Sequence, residues 1–278
     1  MILIDGKKLA DEILNKIKKE VISLPFKPIF CDVLVGNDPA SVQYVQIKKR
    51  RAESIGINFY DASFPSSITT EELIKEIEKI NKIPNMCGII VQLPLPQSID
   101  TRKVLDAINP SLDVDCLGTI RSKEFYNGDM SLGFPAALSC VALLDSIRFS
   151  LKDKKIVVLG NGELVGRPVT ALLKVRGFSP VVVVNKTENK KELIKDADVI
   201  ISGIGSGKYI TGDMIKNGAV LIDAGTSESN SGIIGDVDLE SVKDVANFVS
   251  PVPGGVGPMT VAMLLNNVLE VGKNKNVK

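Results

Sequence analysis

Ile156-Val157-Val158-Leu159-Gly160-Asn161-Gly162-Glu163-Leu164-Val165-Gly166-Arg167-Pro168 decides how the rest of the chain is read. Four apolar residues, three of them β-branched, run into a turn with glycines at 160, 162 and 166, and an apolar helical pattern follows. This order predicts a buried parallel strand ending at Leu159. Gly160 then allows the tight turn, Gly162 lets backbone approach a ligand, and Gly166 lets the helix lie close to the sheet. Free N–H groups at the helix start, with the helix dipole behind them, suit a pyrophosphate. The spacing, GxGxxxG, is one residue longer than the commonest dinucleotide fingerprint, and glycine suits any tight βα connection. The dinucleotide reading gains its weight from the further βα units downstream.

Those units read as helix 165–176, strand 181–184, helix 190–196, strand 198–202, helix 211–216 and strand 219–223. A Pro/Gly loop at 250–258 precedes an apolar helix over 259–271. Upstream, Leu9, Ile13, Ile17 and Val21 mark a helix over 7–23, followed by a strand over 29–35 and a helix over 40–54. Residues 57–61 are strand-like, and Thr69 with Glu72 forms a capping box for a helix carrying Leu73, Ile77 and Ile80. A buried strand spans 87–93, and a short helix spans 101–108. Residues 113–135 show little periodicity and are expected to cross between domains, before a helix over 136–147. Alternating strands and helices imply parallel sheets. The fold class is therefore α/β with two domains, and ligands are expected at the carboxyl ends of the strands.

Composition narrows the chemistry. The chain has 278 residues, 44% of them hydrophobic and 24% charged, with a net charge of +1 and a pI near 7.5. No global field draws such a protein to nucleic acid or to a membrane surface, and no apolar run is long enough to span a bilayer. Cysteines at 31, 87, 116 and 140 have no metal or redox spacing and read as reduced, mostly buried thiols of a cytoplasmic protein. There is no histidine at all. That excludes Ser-His-Asp and Cys-His nucleophile systems and the usual zinc sites, so no metal is expected. Proton transfer falls to Lys, Asp, Glu, Tyr or water.

Several side chains are candidates for such work. Ser41, Tyr44 and Lys48 are spaced i, i+3, i+7 and share a helix face. Taken alone, Lys48 reads as a solvated helix lysine, and Tyr44 reads equally as core packing or as a ligand platform. Gln92 places an uncharged amide at a strand end, before a loop stiffened by Pro94 and Pro96; it can serve a lysine, a ligand or nearby backbone. Asp113 and Asp115 offer carboxylates near the domain junction, although Asp is common in loops. Strand 181–184 has no acid at its tip to hold ribose hydroxyls, and Lys186 there suits a 2′-phosphate or plain solvent. Gly203 and Gly225, with Thr226, occupy other strand-end loops that would border a cofactor.

Together, Ser41-x-x-Tyr44-x-x-x-Lys48, Val91-Gln92-Leu93-Pro94-Leu95-Pro96, Asp113-Val114-Asp115, Gly160-x-Gly162-x-x-Val165-Gly166-x-Pro168 and Pro251 to Thr260 occur in one order. The chain resembles the bifunctional methylenetetrahydrofolate dehydrogenase/methenyltetrahydrofolate cyclohydrolases over essentially its full length. The resemblance implies an N-terminal folate and catalytic domain over 1–118, to which the helix at 259–278 returns. It also implies a Rossmann-type domain over 119–258, with folate in the cleft between the two. It implies tetrahydrofolate substrates, NADP in preference to NAD, a role in one-carbon supply for purine biosynthesis, and a homodimer formed through the Rossmann domain. Lys48, supported by Gln92, would be the catalytic lysine. Tyr44 would stack on the folate beside Ser41, and Asp115 would hold pterin nitrogens. Gly254, Gly255, Pro258 and Thr260 would line the folate site. Gly160, Asn161, Gly162, Val165, Gly166, Lys186, Gly203, Gly225 and Thr226 would hold the nucleotide.

The chemistry suits a histidine-free chain. Hydride leaves the methylene bridge to give a resonance-stabilised cation, so positioning supplies most of the first step. Water then attacks that cation, and the like charge beside Lys48 disfavours its ammonium form. The chain departs from the family where Cys116-Leu117-Gly118 replace the usual Gly-Phe-His after Asp115. It departs again where Phe134-Pro135-Ala136-Ala137 replace Pro-Cys-Thr-Pro. A dehydrogenase without cyclohydrolase activity, or a binding module without turnover, are the other readings. Tyr44, Lys48 and Gln92 together argue against the first, and the changes near the crossover are the only support for the second.

Overall fold

The alternation of apolar strand and amphipathic helix is what a computed structural model shows over the residues it describes, 1–229 and 232–276. In chain order the first elements are β1 (Ile2–Leu3), α1 (Gly6–Ile22), β2 (Ile29–Val35), α2 (Pro39–Ser54), β3 (Asn58–Phe64), α3 (Thr70–Ile80) and β4 (Met86–Val91). Next come α4 (Thr101–Asp106), α5 (Thr119–Tyr126), α6 (Pro135–Ser146), β5 (Ile156–Leu159), α7 (Gly166–Val175), β6 (Val181–Val183), α8 (Lys190–Lys195) and β7 (Val199–Ser202). The last are β8 (Val220–Asp223), β9 (Ser227–Ser229), β10 (Gly232–Ile234), α9 (Leu239–Val242), β11 (Phe248–Ser250) and α10 (Val256–Asn276).

The chain divides into two units, one of residues 12–133 with 264 onward, the other of residues 1–11 with 134–263. In the first, three parallel strands lie in the order β3-β2-β4. β2 is central, and all its residues after Ile29 are buried, as are all six of β4. Strands covered on both faces read as continuous apolar runs, which is why Ile29–Val35 and Met86–Val91 were legible. α3 starts with the anticipated box: Thr69 caps Glu72 N–H, and the Glu72 carboxylate accepts from Thr69 N–H. Asn267 on α10 donates to the Val114 and Gly133 carbonyls at 2.8 and 2.7 Å, pinning the segment that carries Asp113 and Asp115.

In the second unit six parallel strands lie in the order β1-β11-β8-β7-β5-β6. Chain direction across the sheet reverses between β5 and β7, whose carboxyl ends meet through Gly203 N–H donating to Leu159 O at 3.2 Å. This is the switch point at which open parallel sheets bind ligands. Val157, Leu159, Ile200, Leu221 and Val249 form the centre of its core with Ile194, Ile210 and Ile215.

Several boundaries differ from expectation. Residues 1–11 belong with the second unit because β1 pairs with β11, Ile2 opposite Phe248. Residues 119–133 stay with the first unit, so the expected division at 118 moves to 133. The supposed crossover at 113–135 contains α5, which apolar periodicity concealed because its buried face includes a charge. The Arg121 guanidinium lies 2.9 Å from both Glu124 and Asp129, beside fully buried Phe125. Hydrogen bonds from Ser131 and then from Arg121 hold the Asp129 carboxyl well below the usual range. Residues 211–216 make only one 3₁₀ turn, Gly212–Met214, because Ile215 is extended and inserts into the core. α10 starts at Val256, earlier than 259, because Pro258 is tolerated in a first turn where N–H groups have no partner within the helix.

Candidate active site

α2 begins where Asp38 accepts from Ser41 N–H at 2.8 Å with Pro39 in the first turn. Its inward face is Ser41, Val45, Lys48 and Ala52. Lys48 is only 5% exposed, whereas Tyr44 is 39% exposed at the edge of the same face. The solvated reading of Lys48 is thereby corrected. The helix packs on β2, so the lysine head reaches polar groups rather than water.

Those groups come from two strands. Gln92, just past β4, has its backbone N–H on Val33 O and its side-chain amide N–H on Leu93 O at 3.0 Å. The amide oxygen is left to accept from Lys48 Nζ at 2.7 Å. The second group is Asp32, in the middle of β2, fully buried and 2.6 Å from Lys48 Nζ through Oδ2. The Lys48 ammonium is the donor that lowers the Asp32 carboxyl by charge and by hydrogen bond, and neither oxygen of Asp32 has a hydrogen-bond partner besides it among the described residues. Burial pushes the Asp32 carboxyl up, and the facing ammonium pulls it back. Asp32 was not among the residues anticipated from sequence, although one carboxylate inside Ile29-Phe30-Cys31-Asp32-Val33-Leu34-Val35 is the signal that could have found it.

Asp113 and Asp115 have different roles. Asp113 is buried and accepts from Gly118 N–H at 2.8 Å, closing the loop after α4. Asp115 is partly exposed, and its carboxyl is pushed up to about 7 by burial and then by Asp113, with Lys48 opposing. It sits within the electrostatic reach of Lys48 and Asp32. Cys116 adopts a left-handed conformation with φ of 60°. All four cysteines are free and buried, in agreement with the sequence reading.

The second constellation occupies the switch point. Gly160 has φ of +92°, and a Cβ on Gly166 would lie 2.2 Å from Gly160 O, so only glycine lets α7 start against this turn. A Cβ on Gly162 would meet nothing within 4 Å, and Asn161 beside it is exposed. Val165 packs on Gly203, where a Cβ would lie 2.8 Å from the Val165 side chain. Gly225 backs onto Asp236 with Thr226 exposed next to it. Lys186 is exposed on the turn after β6, the neighbouring strand to β5. Of the predicted residues, Gly160, Val165, Gly166 and Gly203 are thus in mutual contact. Gly254 turns with φ of +109°, Gly255 N–H bonds to Pro251 O at 2.7 Å, and Pro258 and Thr260 lie in the opening turns of α10. The Thr260 hydroxyl donates to Val256 O.

Residues 4–115 match the catalytic domain of tetrahydrofolate dehydrogenase/cyclohydrolase, and residues 135–276 match its NAD(P)-binding domain. The chain belongs to the tetrahydrofolate dehydrogenase/cyclohydrolase family. Among relatives of this family, the bifunctional protein FolD of Nautilia profundicola is 40% identical, with all of both chains covered. That of Methanospirillum hungatei is 39% identical over 98% of each. The crystal structure of the bifunctional methylenetetrahydrofolate dehydrogenase/cyclohydrolase from Campylobacter jejuni superposes with a TM-score of 0.95 at 35% identity, covering 99% of each chain. The Trypanosoma brucei enzyme, solved with NADP cofactor and inhibitor, gives 0.92 at 30% identity, covering 99% of this chain and 98% of its own. Within the family frame the left-handed Cys116 takes on meaning: it stands where the resemblance places glycine, the residue that adopts this conformation freely.

Proposed function

We propose that this chain oxidises methylenetetrahydrofolate to methenyltetrahydrofolate with NADP and hydrolyses the methenyl form to formyltetrahydrofolate. The observation that carries the reading is Lys48, a buried lysine whose head is held by Gln92 Oε1 and Asp32 instead of by solvent. Burying a charge is costly unless it is paired, and this lysine is paired with an amide and a carboxylate.

Folate binding falls to the face around that lysine. Tyr44 offers a partly exposed ring for stacking, next to Ser41 on the helix. Asp115, with its carboxyl raised to about 7, is suited to pair with a pterin edge in either protonation state. Gly254, Gly255, Pro258 and Thr260 are assigned to folate as well, on the strength of the family motif. Once water attacks the cationic methenyl carbon, Lys48 takes up the proton that water gives away. Gln92 keeps the lysine head in place without competing for that proton, because an amide does not titrate.

The residues at the switch point fit a dinucleotide: the left-handed turn at Gly160, the open space over Gly162 and the close approach of Gly166 to Gly160 let a ligand come near the backbone of this loop. NADP, when bound, supplies the hydride acceptor. Gly160, Asn161, Gly162, Val165, Gly166, Gly203, Gly225 and Thr226 would hold it, with Lys186 on the 2′-phosphate. We assign the protein to the cytoplasm as a homodimer serving one-carbon transfer for purine biosynthesis. In support, no described helix is long and apolar enough to cross a membrane, and edge strand β6 exposes Val181. The test is turnover of methylenetetrahydrofolate with NADP and with NAD side by side, together with decay of methenyl absorbance. Reduction of NADP plus hydrolysis faster than the spontaneous rate is expected. Absence of either activity would remove that half of the function.

A further inference from the structure

Lys48 has one more partner than the motif that names it. Asp32 comes from the strand under α2, not from the segments that carry Tyr44, Gln92 or Asp115. It is fully buried, with the Lys48 ammonium 2.6 Å from Oδ2 and no other donor to either oxygen among the described residues. A carboxylate used as a brace is normally satisfied by N–H groups, as Asp113 is by Gly118. Asp32 is not.

We propose that Asp32 is the proton partner of Lys48, the two forming a dyad that keeps one proton between carboxylate and amine while the charge of the bound folate changes. This rests on the cyclohydrolase reading above. With the methenyl cation beside Lys48, the ammonium N–H bond breaks and the proton passes to Asp32 Oδ2, freeing the amine lone pair. Water attacks the methenyl carbon, a C–O bond forms, and the amine takes the water proton to become ammonium again. The C–N bond to the departing nitrogen then breaks, with that nitrogen taking the ammonium proton. The remaining O–H proton leaves to solvent as the formyl C=O forms. Asp32 finally returns its proton to Lys48. One methenyl cation and one water give one formyltetrahydrofolate and one proton, and the dyad ends as it began.

The surroundings favour such sharing. Burial raises the Asp32 carboxyl, and the Lys48 ammonium facing it pulls it back. From β3, Asp61 is the register neighbour of Asp32 and is exposed; it raises Asp32 slightly through like charge. From β2 itself, the Cys31 thiol is pushed up by burial and so stays neutral. From the segment after α4, Asp115 and Asp113 add negative potential, and from α2 the exposed Tyr44 and the half-buried Arg51 lie about one turn to either side of Lys48.

A dyad that holds its own proton gives hydrolysis that is level with pH across the neutral range, because no exchange with solvent is needed to arm the amine. The experiment uses the full-length enzyme and follows methenyl absorbance, above the spontaneous rate, from pH 6 to 9. In Asp32→Asn the amine must lose its proton to solvent. The ratio of cyclohydrolase to dehydrogenase activity at pH 7 is expected to fall about a hundredfold, the lower end of the usual loss for a proton-transfer group. The hydrolysis rate should then climb with pH. Asp32→Val, which suits the strand and removes the proton site altogether, should behave alike, and Asp32→Glu should restore the level profile. A profile for Asp32→Asn or Asp32→Val that parallels the wild type overturns the dyad. Lys48→Met separates the two ideas: hydrolysis lost there but unaltered in the Asp32 variants defeats the dyad alone, whereas hydrolysis retained in Lys48→Met defeats the assignment of Lys48 itself.

Discussion

The buried carboxylates of this protein are of two kinds, and Asp236 and Asp223 in one unit contrast with Asp32 in the other. Asp236, fully buried in the nucleotide unit, accepts from Ser202 Oγ at 2.7 Å, Ile204 N–H at 2.9 Å and Ser206 N–H at 2.7 Å. Asp223 at the tip of β8 accepts from the N–H groups of Gly225, Asp236 and Val237. Together they fold the loops at 203–206 and 223–225 into a fixed edge. Asp32, equally buried, has the Lys48 ammonium and no other donor among the described residues. A carboxylate surrounded by N–H donors is a scaffold; one left with only an ammonium is free to exchange a proton. The same residue type thus builds one site and works in the other.

The contrast can be broken first through the lysine. Lys48→Ala leaves Asp32 buried without its cation, and removal of one partner from a buried pair costs about 3–5 kcal/mol. Urea unfolding at pH 7 should show that loss, and it should shrink on acidification because a protonated Asp32 needs no partner. A cost that does not change with pH would mean that Asp32 is neutral already. Next, Asp236→Ala strands two backbone N–H groups, at about 1–3 kcal/mol each. Stability should drop by about 3 kcal/mol, and the NADP concentration for half-maximal rate should rise with it. Asp32→Asn should leave that NADP dependence far less affected than Asp236→Ala does.

Smaller effects sharpen the same comparison. Gly166→Ala places a methyl group 2.2 Å from Gly160 O, a backbone atom that cannot swing away. Overpacking of this kind costs about 1–3 kcal/mol, and NADP binding measured by fluorescence titration should weaken more than folate binding. Asp115 gives the smallest effect and a definite sign. Its folded carboxyl titrates at about 7, above its ordinary value, so the folded state binds the proton more tightly than the unfolded chain. Stability from this group is therefore present at acid pH and is lost as pH rises towards 7. Asp115→Asn should be neutral near pH 4 and stabilising at pH 8, by on the order of 1 kcal/mol after solvent screening. Thermal unfolding at both values reads the difference.

Much of this was legible in the sequence because burial on both faces of a parallel sheet writes long apolar runs, and because turn glycines mark βα connections. β5, Gly160 and Gly166 stand as read, and so do Ser41, Tyr44 and Lys48 on one helix. What stayed hidden depends on contacts between distant segments. Nothing local shows that Lys48 faces β2, so its burial and its pairing with Asp32 appear only when α2 is laid on the sheet. α5 was invisible because its buried face is filled by Arg121, whose charge is answered eight residues later by Asp129. The two residues of β1 are too few to carry a pattern, and their place is set by β11.

The most direct test of the central claim supplies full-length Lys48→Met with methylenetetrahydrofolate and NADP and follows methenyl absorbance and NADPH together. If Lys48 is the proton carrier for hydrolysis, methenyltetrahydrofolate accumulates in step with NADPH and decays no faster than it does without enzyme. Formyltetrahydrofolate appearing at the wild-type rate would contradict the account.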